Sequence, residues 1–216
     1  MNAFASHDSL SGYSLRTWWF APLNFMAKCQ SKNIEQQLAA GVRYFDIRLN
    51  KDGSTWYGAH GPMLYNITID EVLTKLRAFA EANKAHIYYR IIHEDEFNRD
   101  ASLTQFISII EGKLANYTSQ YMHIHFIGLK SQWSNHKYYM NIPFYGRNDY
   151  PTSKSGLNSK VREITSMKPR TDLSVYECYT YKGIPTFWGL PYPKLLSSTV
   201  NRYALRYHGN AMIDFV

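Results

Sequence analysis

The sequence predicts an α/β fold, closed as a compact and irregular (β/α)8 barrel of the TIM type. Short apolar segments typical of strands alternate with segments of helical periodicity, which is the pattern of a parallel sheet. The 216 residues fit one catalytic domain, residues 1–216, near the lower size limit of that barrel. Polar side chains follow several of the strands, where a barrel of this type carries its active site.

The predicted elements alternate through most of the chain. In order they are strand 3–8, helix 33–41, strands 42–49 and 55–60, a helix ending near 82, strand 87–92, helix 102–115, strand 123–129, strand 173–180, helix 192–207 and strand 211–216. Thr68 and Glu71 have the spacing of a capping box, so the helix that ends near residue 82 is expected to begin after residue 68. Residues 130–172 lack periodicity and predict long loops with one or two short elements.

Composition describes a globular, basic chain. Hydrophobic residues make up 45% and the net charge is +7, which favours anionic partners. The positive charges are scattered and no nucleic-acid-binding signature is present, so we expect no nucleic-acid partner. Two cysteines, Cys29 and Cys178, are too few for a disulfide framework.

The strand at 42–49 carries the densest chemical signal. Alternation places Tyr44, Asp46 and Arg48 on one face, and burying an Asp and an Arg is costly unless they are paired or used. The next strand ends at His60-Gly61. A structural ion pair with a satisfied histidine is one interpretation of this pattern, and an active site is the other.

The strand ends favour the active site. We expect polar groups at the carboxyl ends of several strands, which would bring them to one rim of the barrel. These groups are His7-Asp8, Arg48, His60, His93-Glu94 and Asp214.

Three motifs in order closely resemble the bacterial phosphatidylinositol-specific phospholipase C family. They are Ser6-His7-Asp8-Ser9, Gly41-Val-Arg-Tyr-Phe-Asp-Ile-Arg48, and His60-Gly61-Pro62 before a helix that begins Thr-x-x-Glu-Val-Leu. The resemblance reaches residue 96, returns at 186–192 and 212–216, and covers roughly half of the chain. It implies a distorted TIM barrel that cleaves phosphatidylinositol, or a glycosylated inositol lipid, to diacylglycerol and cyclic inositol phosphate.

The resemblance also implies roles for two histidines. Cleavage of a phosphodiester needs a base for the attacking hydroxyl, an acid for the leaving oxygen, and positive charge on the phosphate. By resemblance, His7 is the general base and Asp214 fixes its tautomer. His60 is the general acid, and Asp8 assists it.

Arg48 bears on metal dependence. By resemblance it binds the phosphate, held by Asp46, in the place where eukaryotic relatives hold calcium. A guanidinium within a shell of oxygen ligands repels a cation, so we expect no metal and no other cofactor. The acidic run Glu94-Asp95-Glu96 stands where bacterial members tend to have lysine. It can bind a cation, or pair with Arg90, Arg99 or substrate hydroxyls.

The lipid-binding residues are less well specified. Candidate substrate-binding residues by position after the strands are His93, Glu94, Lys130, Tyr138 and Tyr139. His123 and His125 share a strand face, a spacing known from metal enzymes, although core histidines are the more common outcome. Trp18, Trp19 and Trp133 are candidates for transient contact with a membrane surface, and Trp18 and Trp19 suit a core equally well.

Two other functions compete with this interpretation. One is a metal-dependent glycerophosphodiesterase or sphingomyelinase D-like enzyme on a similar barrel, and the other is a non-catalytic binding or structural module. The resemblance implies a secreted or membrane-associated protein. No secretory signal pattern is visible at the start of the sequence, so a cytoplasmic location is the alternative expectation.

Overall fold

The structure is a computed structural model, and it describes residues 4–94, 101–128, 138–145, 154–170, 172–178 and 192–216. The strands are β1 (Phe4–Ser6), β2 (Val42–Asp52), β3 (Thr55–His60), β4 (Met63–Thr68), β5 (Ile87–His93), β6 (Met122–Ile127), β7 (Phe144–Tyr145), β8 (Val175–Glu177) and β9 (Ala211–Ile213). The helices are α1 (Asn24–Ala27), α2 (Ile34–Ala39), α3 (Ile69–Asn83), α4 (Ala101–Leu114), α5 (Lys154–Ser166) and α6 (Lys194–Tyr207). Short 3-10 turns occur at Ser9–Gly12, Trp18–Leu23 and Ala115–Tyr117.

The nine strands of the described ranges belong to one sheet. Most of them run parallel, in the order β6-β5-β2-β1-β9-β8-β7, while β3 and β4 form an antiparallel extension beside β2. Within the described ranges no strand pairing joins β6 to β7, so the sheet does not close there. The α/β barrel is therefore irregular, as the sequence predicts.

Strand β2 divides the interior of the protein from the layer of helices. Phe45, Ile47 and Leu49 pack in the large core cluster with side chains of α3 and α4. Tyr44, on the opposite face, packs in a separate cluster with Met212 of β9. The predicted alternation along this strand is correct, and it leaves Asp46 and Arg48 on the inner face.

Sequence capping signals set the starts of two helices. Thr68 and Glu71 form the predicted capping box at α3, since each side chain accepts a hydrogen bond from the backbone of the other residue. A second capping box joins Asn33 and Gln36 at α2.

Strand β4 and helix α5 depart most from the sequence predictions. Strand β4 (Met63–Thr68) precedes α3 where the sequence predicts no element. Helix α5 has 13 residues and lies in the stretch 130–172, for which the sequence predicts long loops with one or two short elements. The helix escapes detection because its buried face is short and partly polar: Lys160 is buried and donates from Nζ to the Glu177 carbonyl oxygen at 3.0 Å.

Candidate active site

His7 lies directly beyond β1, between groups supplied by the two strands that flank it. Its Nδ1 is 2.7 Å from Oδ1 of Asp214, which follows β9. Its Nε2 is 2.9 Å from Nη2 of Arg48 on β2. A guanidinium can only donate, so Nε2 is the acceptor and Nδ1 carries the proton donated to Asp214. His7 is therefore held as a neutral imidazole with its basic nitrogen facing Arg48.

His60 forms a second histidine–aspartate pair. Its Nδ1 lies 2.8 Å from Oδ2 of Asp8, whose carboxylate is fully buried. The backbone of Asp8 is in the left-handed region, with φ 42°. Burial disfavours a charged His60, yet the Asp8 carboxylate, with the charge of Glu94 added, outweighs burial and the pKa of His60 is raised. Burial likewise raises the pKa of Asp8, against the opposing effect of His60. Both shifts favour protonation of the pair, which is the property that a general acid needs.

Asp46 is the shared anchor of the site. Its Oδ2 accepts from Nε of Arg48 at 3.0 Å and from the backbone N–H of Asp8 at 3.0 Å. Its Oδ1 accepts from Nε of Arg90 at 2.6 Å. Burial would raise the pKa of Asp46, but the guanidiniums of Arg48 and Arg90 overcome this and lower it far below its usual value. Asp46 remains ionised and fixes both the arginine and the start of the His7-Asp8 turn.

The hairpin formed by β2 and β3 brings His60 into the site. From the sequence, His60 was expected among the carboxyl ends of parallel strands, but β3 runs antiparallel to β2. Strand β2 continues to Asp52, and on the return Gly58 lies opposite Leu49. Counted in this register, Ala59 returns to the level of Arg48, and His60 follows it. The location was predicted correctly, while the strand direction that produces it was not.

The two histidine–aspartate pairs are neighbours. Ligand-type atoms of His7, Asp214 and the Cys29 thiol lie within 4.8 Å of one another, and so do those of Asp8, His60 and the same thiol. These are the groups that a metal ion would use. They are engaged in the hydrogen bonds between histidine and aspartate, and the Arg48 guanidinium lies against His7. This arrangement suits proton transfer, and the Arg48 cation disfavours a second positive ion.

Only part of the predicted substrate-binding set reaches this site. Glu94 does, because its Oε1 accepts from Nη1 of Arg48 at 2.8 Å. His93 does not, because its ring packs on Phe106 at 4.7 Å on the side of the helices. Strand alternation sends these two consecutive side chains to opposite faces.

The two tyrosines of the predicted set also lie elsewhere. Tyr138 lines a small pocket with Tyr89 and Leu114, and the Tyr139 hydroxyl donates to Glu111 of α4 at 2.9 Å. Both therefore belong to the packing between the sheet and the helices. The predictions for Lys130, Asp95, Glu96, Arg99 and Trp133 lie outside the described residues.

The two histidines of β6 have partners of their own. His125 is buried with its Nδ1 2.8 Å from the Tyr44 hydroxyl, and Nε2 of His123 is 2.7 Å from Nδ1 of His86. In the part of the chain that the structure describes, neither belongs to a group of three potential metal ligands. These contacts support the core-histidine interpretation.

Several residues that support the site were not predicted from the sequence. Ser9 Oγ accepts from the Asp46 backbone N–H at 2.9 Å, and Gln30 Nε2 donates to the His7 carbonyl oxygen at 2.8 Å. Arg90, one of the partners suggested for the acidic run after β5, bonds Asp46 and approaches Glu177 Oε1 at 3.4 Å. Strand alternation places Arg90 on the inward face of β5, and this pattern could have identified it from the sequence. No local pattern in the sequence singles out Gln30 or Glu177.

Comparisons with known proteins agree with this geometry. No protein-family model matches the chain. A curated relative, 1-phosphatidylinositol phosphodiesterase of Listeria monocytogenes, is 37% identical over 95 residues, which are 43% of this chain and 28% of that protein. The match thus spans little more than a quarter of the relative's length.

Solved structures extend the likeness to the whole fold. The phosphatidylinositol-specific phospholipase C of Listeria monocytogenes superimposes with a TM-score of 0.67 at 20% identity, covering 100% of this chain and 88% of that one. A mutant of the Staphylococcus aureus enzyme gives 0.65 at 14% identity, covering 100% and 85%. A further Staphylococcus aureus structure, described by its modulated membrane binding, gives 0.64 at 13%, covering 100% and 86%.

These similarities confirm the predicted resemblance to the bacterial phosphatidylinositol-specific phospholipases C. The likeness in structure also confirms the predicted TIM-type barrel.

Proposed function

We propose that this chain is a phosphatidylinositol-specific phospholipase C-like enzyme that works without a metal ion. The observation that carries the proposal is the arrangement of two histidine–aspartate pairs around one arginine. His7 presents an acceptor nitrogen to Arg48, whereas Nδ1 of His60 bonds the Asp8 carboxylate, which favours the protonated form of His60. A base, an acid and a phosphate-binding cation are the requirements for cleaving a phosphodiester.

The proposed first step balances with these groups alone. Nε2 of His7 removes the proton of the inositol 2-hydroxyl, as the resemblance implies, and that oxygen attacks phosphorus. The bond from phosphorus to the diacylglycerol oxygen breaks, and His60 donates its proton to that leaving oxygen. Arg48 stabilises the charge that develops on the non-bridging phosphate oxygens. The products are cyclic inositol phosphate and diacylglycerol.

The lipid would be met at a membrane surface. Trp18 and Trp19 are 74% and 60% exposed, which corrects the alternative that they belong to the core. They lie on the 3-10 turn Trp18–Leu23. Shortly before this turn, the N–H of Arg16 donates to the carbonyl oxygen of Leu64 in β4, the strand that follows His60. Exposed indoles at the rim of a lipid site favour peripheral contact. None of the described helices is long and apolar enough to cross a bilayer.

The test is release of inositol phosphate from phosphatidylinositol in excess EDTA, for the wild type and for His7→Ala. We expect cyclic inositol phosphate from the wild type and a rate ~10²–10⁴-fold lower from the variant. His86→Ala, which alters a histidine before β5, is the matched control and should retain activity. Activity that disappears in EDTA and returns with calcium would establish the metal-dependent alternative. No product under either condition would favour a binding module.

A further inference from the structure

Both carboxylate oxygens of Glu94 accept hydrogen bonds, one from Arg48 and the other from the turn after His60. Its backbone N–H donates to the Leu49 carbonyl oxygen at 2.9 Å, which fixes the residue beyond β5 and beside β2. Oε1 accepts from Nη1 of Arg48 at 2.8 Å, and Oε2 accepts from the backbone N–H of Gly61 at 2.9 Å. The side chain is only 8% exposed. Its position in the sequence suggested substrate binding, but both of its carboxylate oxygens bond groups of the protein itself.

We infer that Glu94 is a positioning residue, which ties the Arg48 guanidinium to the turn after His60. It thereby sets the distance between Arg48, the phosphate-binding cation, and His60, the general acid. The inference rests on the proposed function, since it concerns residues of the same site. It gives this acidic side chain a role distinct from binding a cation or the inositol hydroxyls.

Arg48 needs this third contact to have one orientation. Its Nε is held by Asp46 at 3.0 Å and its Nη2 lies 2.9 Å from His7. The contact of Nη1 with Glu94 constrains the guanidinium plane from a third side, which the contacts with Asp46 and His7 leave open. A planar guanidinium bonded at three nitrogens cannot rotate without breaking charge-assisted hydrogen bonds.

The turn after His60 needs the other oxygen. Gly61 has a φ of 55°, in the left-handed region, where the chain reverses from β3 to β4. Its N–H points at Oε2 of Glu94, so the residue next to the general acid is tied to the same carboxylate as Arg48. A largely buried carboxylate is stable only with such partners. Burial would raise the pKa of Glu94, but Arg48 first and then His60 and the Gly61 N–H lower it.

The charge of Glu94 also acts on His60. The charged groups facing His60 are Asp8 beyond β1, Glu94 beyond β5 and Arg48 on β2. Burial disfavours the imidazolium, the two carboxylates raise the pKa of His60, and Arg48 lowers it. Glu94→Gln keeps the size of the side chain and an oxygen for Gly61 but loses the charge. Glu94→Asp keeps the charge but is one methylene too short to span both partners.

The experiment is steady-state kinetics on phosphatidylinositol in mixed micelles for the wild type, Glu94→Gln, Glu94→Asp and the surface control Glu35→Gln. We expect kcat to fall ~10²-fold in both Glu94 variants with KM nearly unchanged. In Glu94→Gln the alkaline limb of the kcat/KM profile moves to lower pH, because His60 loses a neighbouring negative charge. A rise in KM at unchanged kcat would instead assign Glu94 to substrate binding and overturn the inference.

NMR on the same proteins decides the inference without turnover. In the wild type we expect resolved Nη–H resonances for Arg48, since its guanidinium rotation is hindered, and we expect them to merge in Glu94→Gln. The His60 imidazole should titrate at lower pH in that variant. An inactive wild type would defeat the proposed function alone. Unchanged Arg48 and His60 resonances in Glu94→Gln would defeat the positioning role, whatever the activity.

Discussion

Nη2 of Arg48 lies 2.9 Å from Nε2 of His7, so the proposed phosphate-binding cation rests against the proposed base. The contact fixes the tautomer of His7, because the guanidinium can only donate. It also means that a phosphate oxygen competes with His7 for the same donor. In the proposed mechanism a phosphate oxygen takes the place of His7 on Nη2, while Asp46 and Glu94 keep hold of the other guanidinium nitrogens, and Nε2 of His7 is left for the substrate hydroxyl. That mechanism couples phosphate binding to base activation through Arg48.

Asp214 should matter mainly for the tautomer of His7. In Asp214→Asn the amide can present its NH2 to Nδ1 of His7, which moves the imidazole proton to Nε2. The protonated Nε2 can neither accept a hydrogen bond from Arg48 nor act as a base. We expect kcat to fall ~10²–10⁴-fold with little change in the thermal unfolding midpoint. The measurement is cyclic inositol phosphate release, alongside thermal unfolding of each protein.

The control for this variant is Asp172→Asn. Asp172 is a surface residue that pairs with Arg170 at 2.9 Å, and its replacement should leave the rate unchanged. A near-normal kcat in Asp214→Asn would show that His7 does not depend on this carboxylate and would contradict its assignment as the oriented base.

Asp8 should set the alkaline limit of activity. Burial lowers the pKa of His60, Asp8 and then Glu94 together more than reverse this effect, and the acid must be protonated to act. Since the folded-state pKa is raised, activity is present at lower pH and is lost as pH rises through that pKa. In Asp8→Asn we expect the alkaline limb of kcat/KM to move to lower pH.

Asp52→Asn is the control for Asp8→Asn, because Asp52 is an exposed aspartate that pairs with Arg16 at 2.9 Å. Its pH profile should coincide with that of the wild type. If the alkaline limb of Asp8→Asn stayed in place, the acid would not be the histidine that Asp8 contacts.

The sequence predicted the inward face of β2 well, and for a physical reason. Period-2 alternation determines which side chains share a face, so the amino-acid order alone is enough to place Asp46 and Arg48 together. The motif order then supplied His7, Asp8, His60 and Asp214, and the structure brings all these residues together. Their catalytic roles remain predictions.

Strand direction and long-range support escaped prediction. Alternation is the same whether a strand runs parallel or antiparallel, so residues 55–60 alone do not reveal that β3 returns along β2; the signal for a tight connection lies in the turn residues 50–54. Gln30 contacts His7 only because the chain after α1 passes beneath β1 and β9. Such contacts depend on the packing of distant segments, and a local pattern contains no information about it.

Gly58 should be intolerant of any side chain. A Cβ there would lie 2.8 Å from Cβ of Leu10 and 3.0 Å from Cγ2 of Ile67, and Leu10 belongs to the turn directly after Asp8-Ser9. We expect Gly58→Ala to lower the free energy of unfolding by ~1–3 kcal/mol, measured by urea denaturation. Gly112→Ala is the control, because a Cβ on that helical glycine meets no atom within 4 Å. It should stabilise α4 by ~1 kcal/mol. Equal stability of the two variants would contradict the close packing of β3 on the turn after Asp8.

The exposed indoles of Trp18 and Trp19 should carry the contact with membranes. Their rings meet edge to face at a centroid separation of 6.1 Å and present apolar surface to solvent. Burying an aromatic side chain contributes ~1.5–3 kcal/mol, so we expect Trp18→Ala with Trp19→Ala to weaken binding to phosphatidylcholine–phosphatidylglycerol vesicles by at least ~10-fold. Sedimentation with vesicles that lack phosphatidylinositol separates this binding from catalysis. Tyr207→Ala removes a 36% exposed aromatic residue from α6 and serves as the control. Loss of binding in the control but not in the double variant would place the membrane-binding surface on α6.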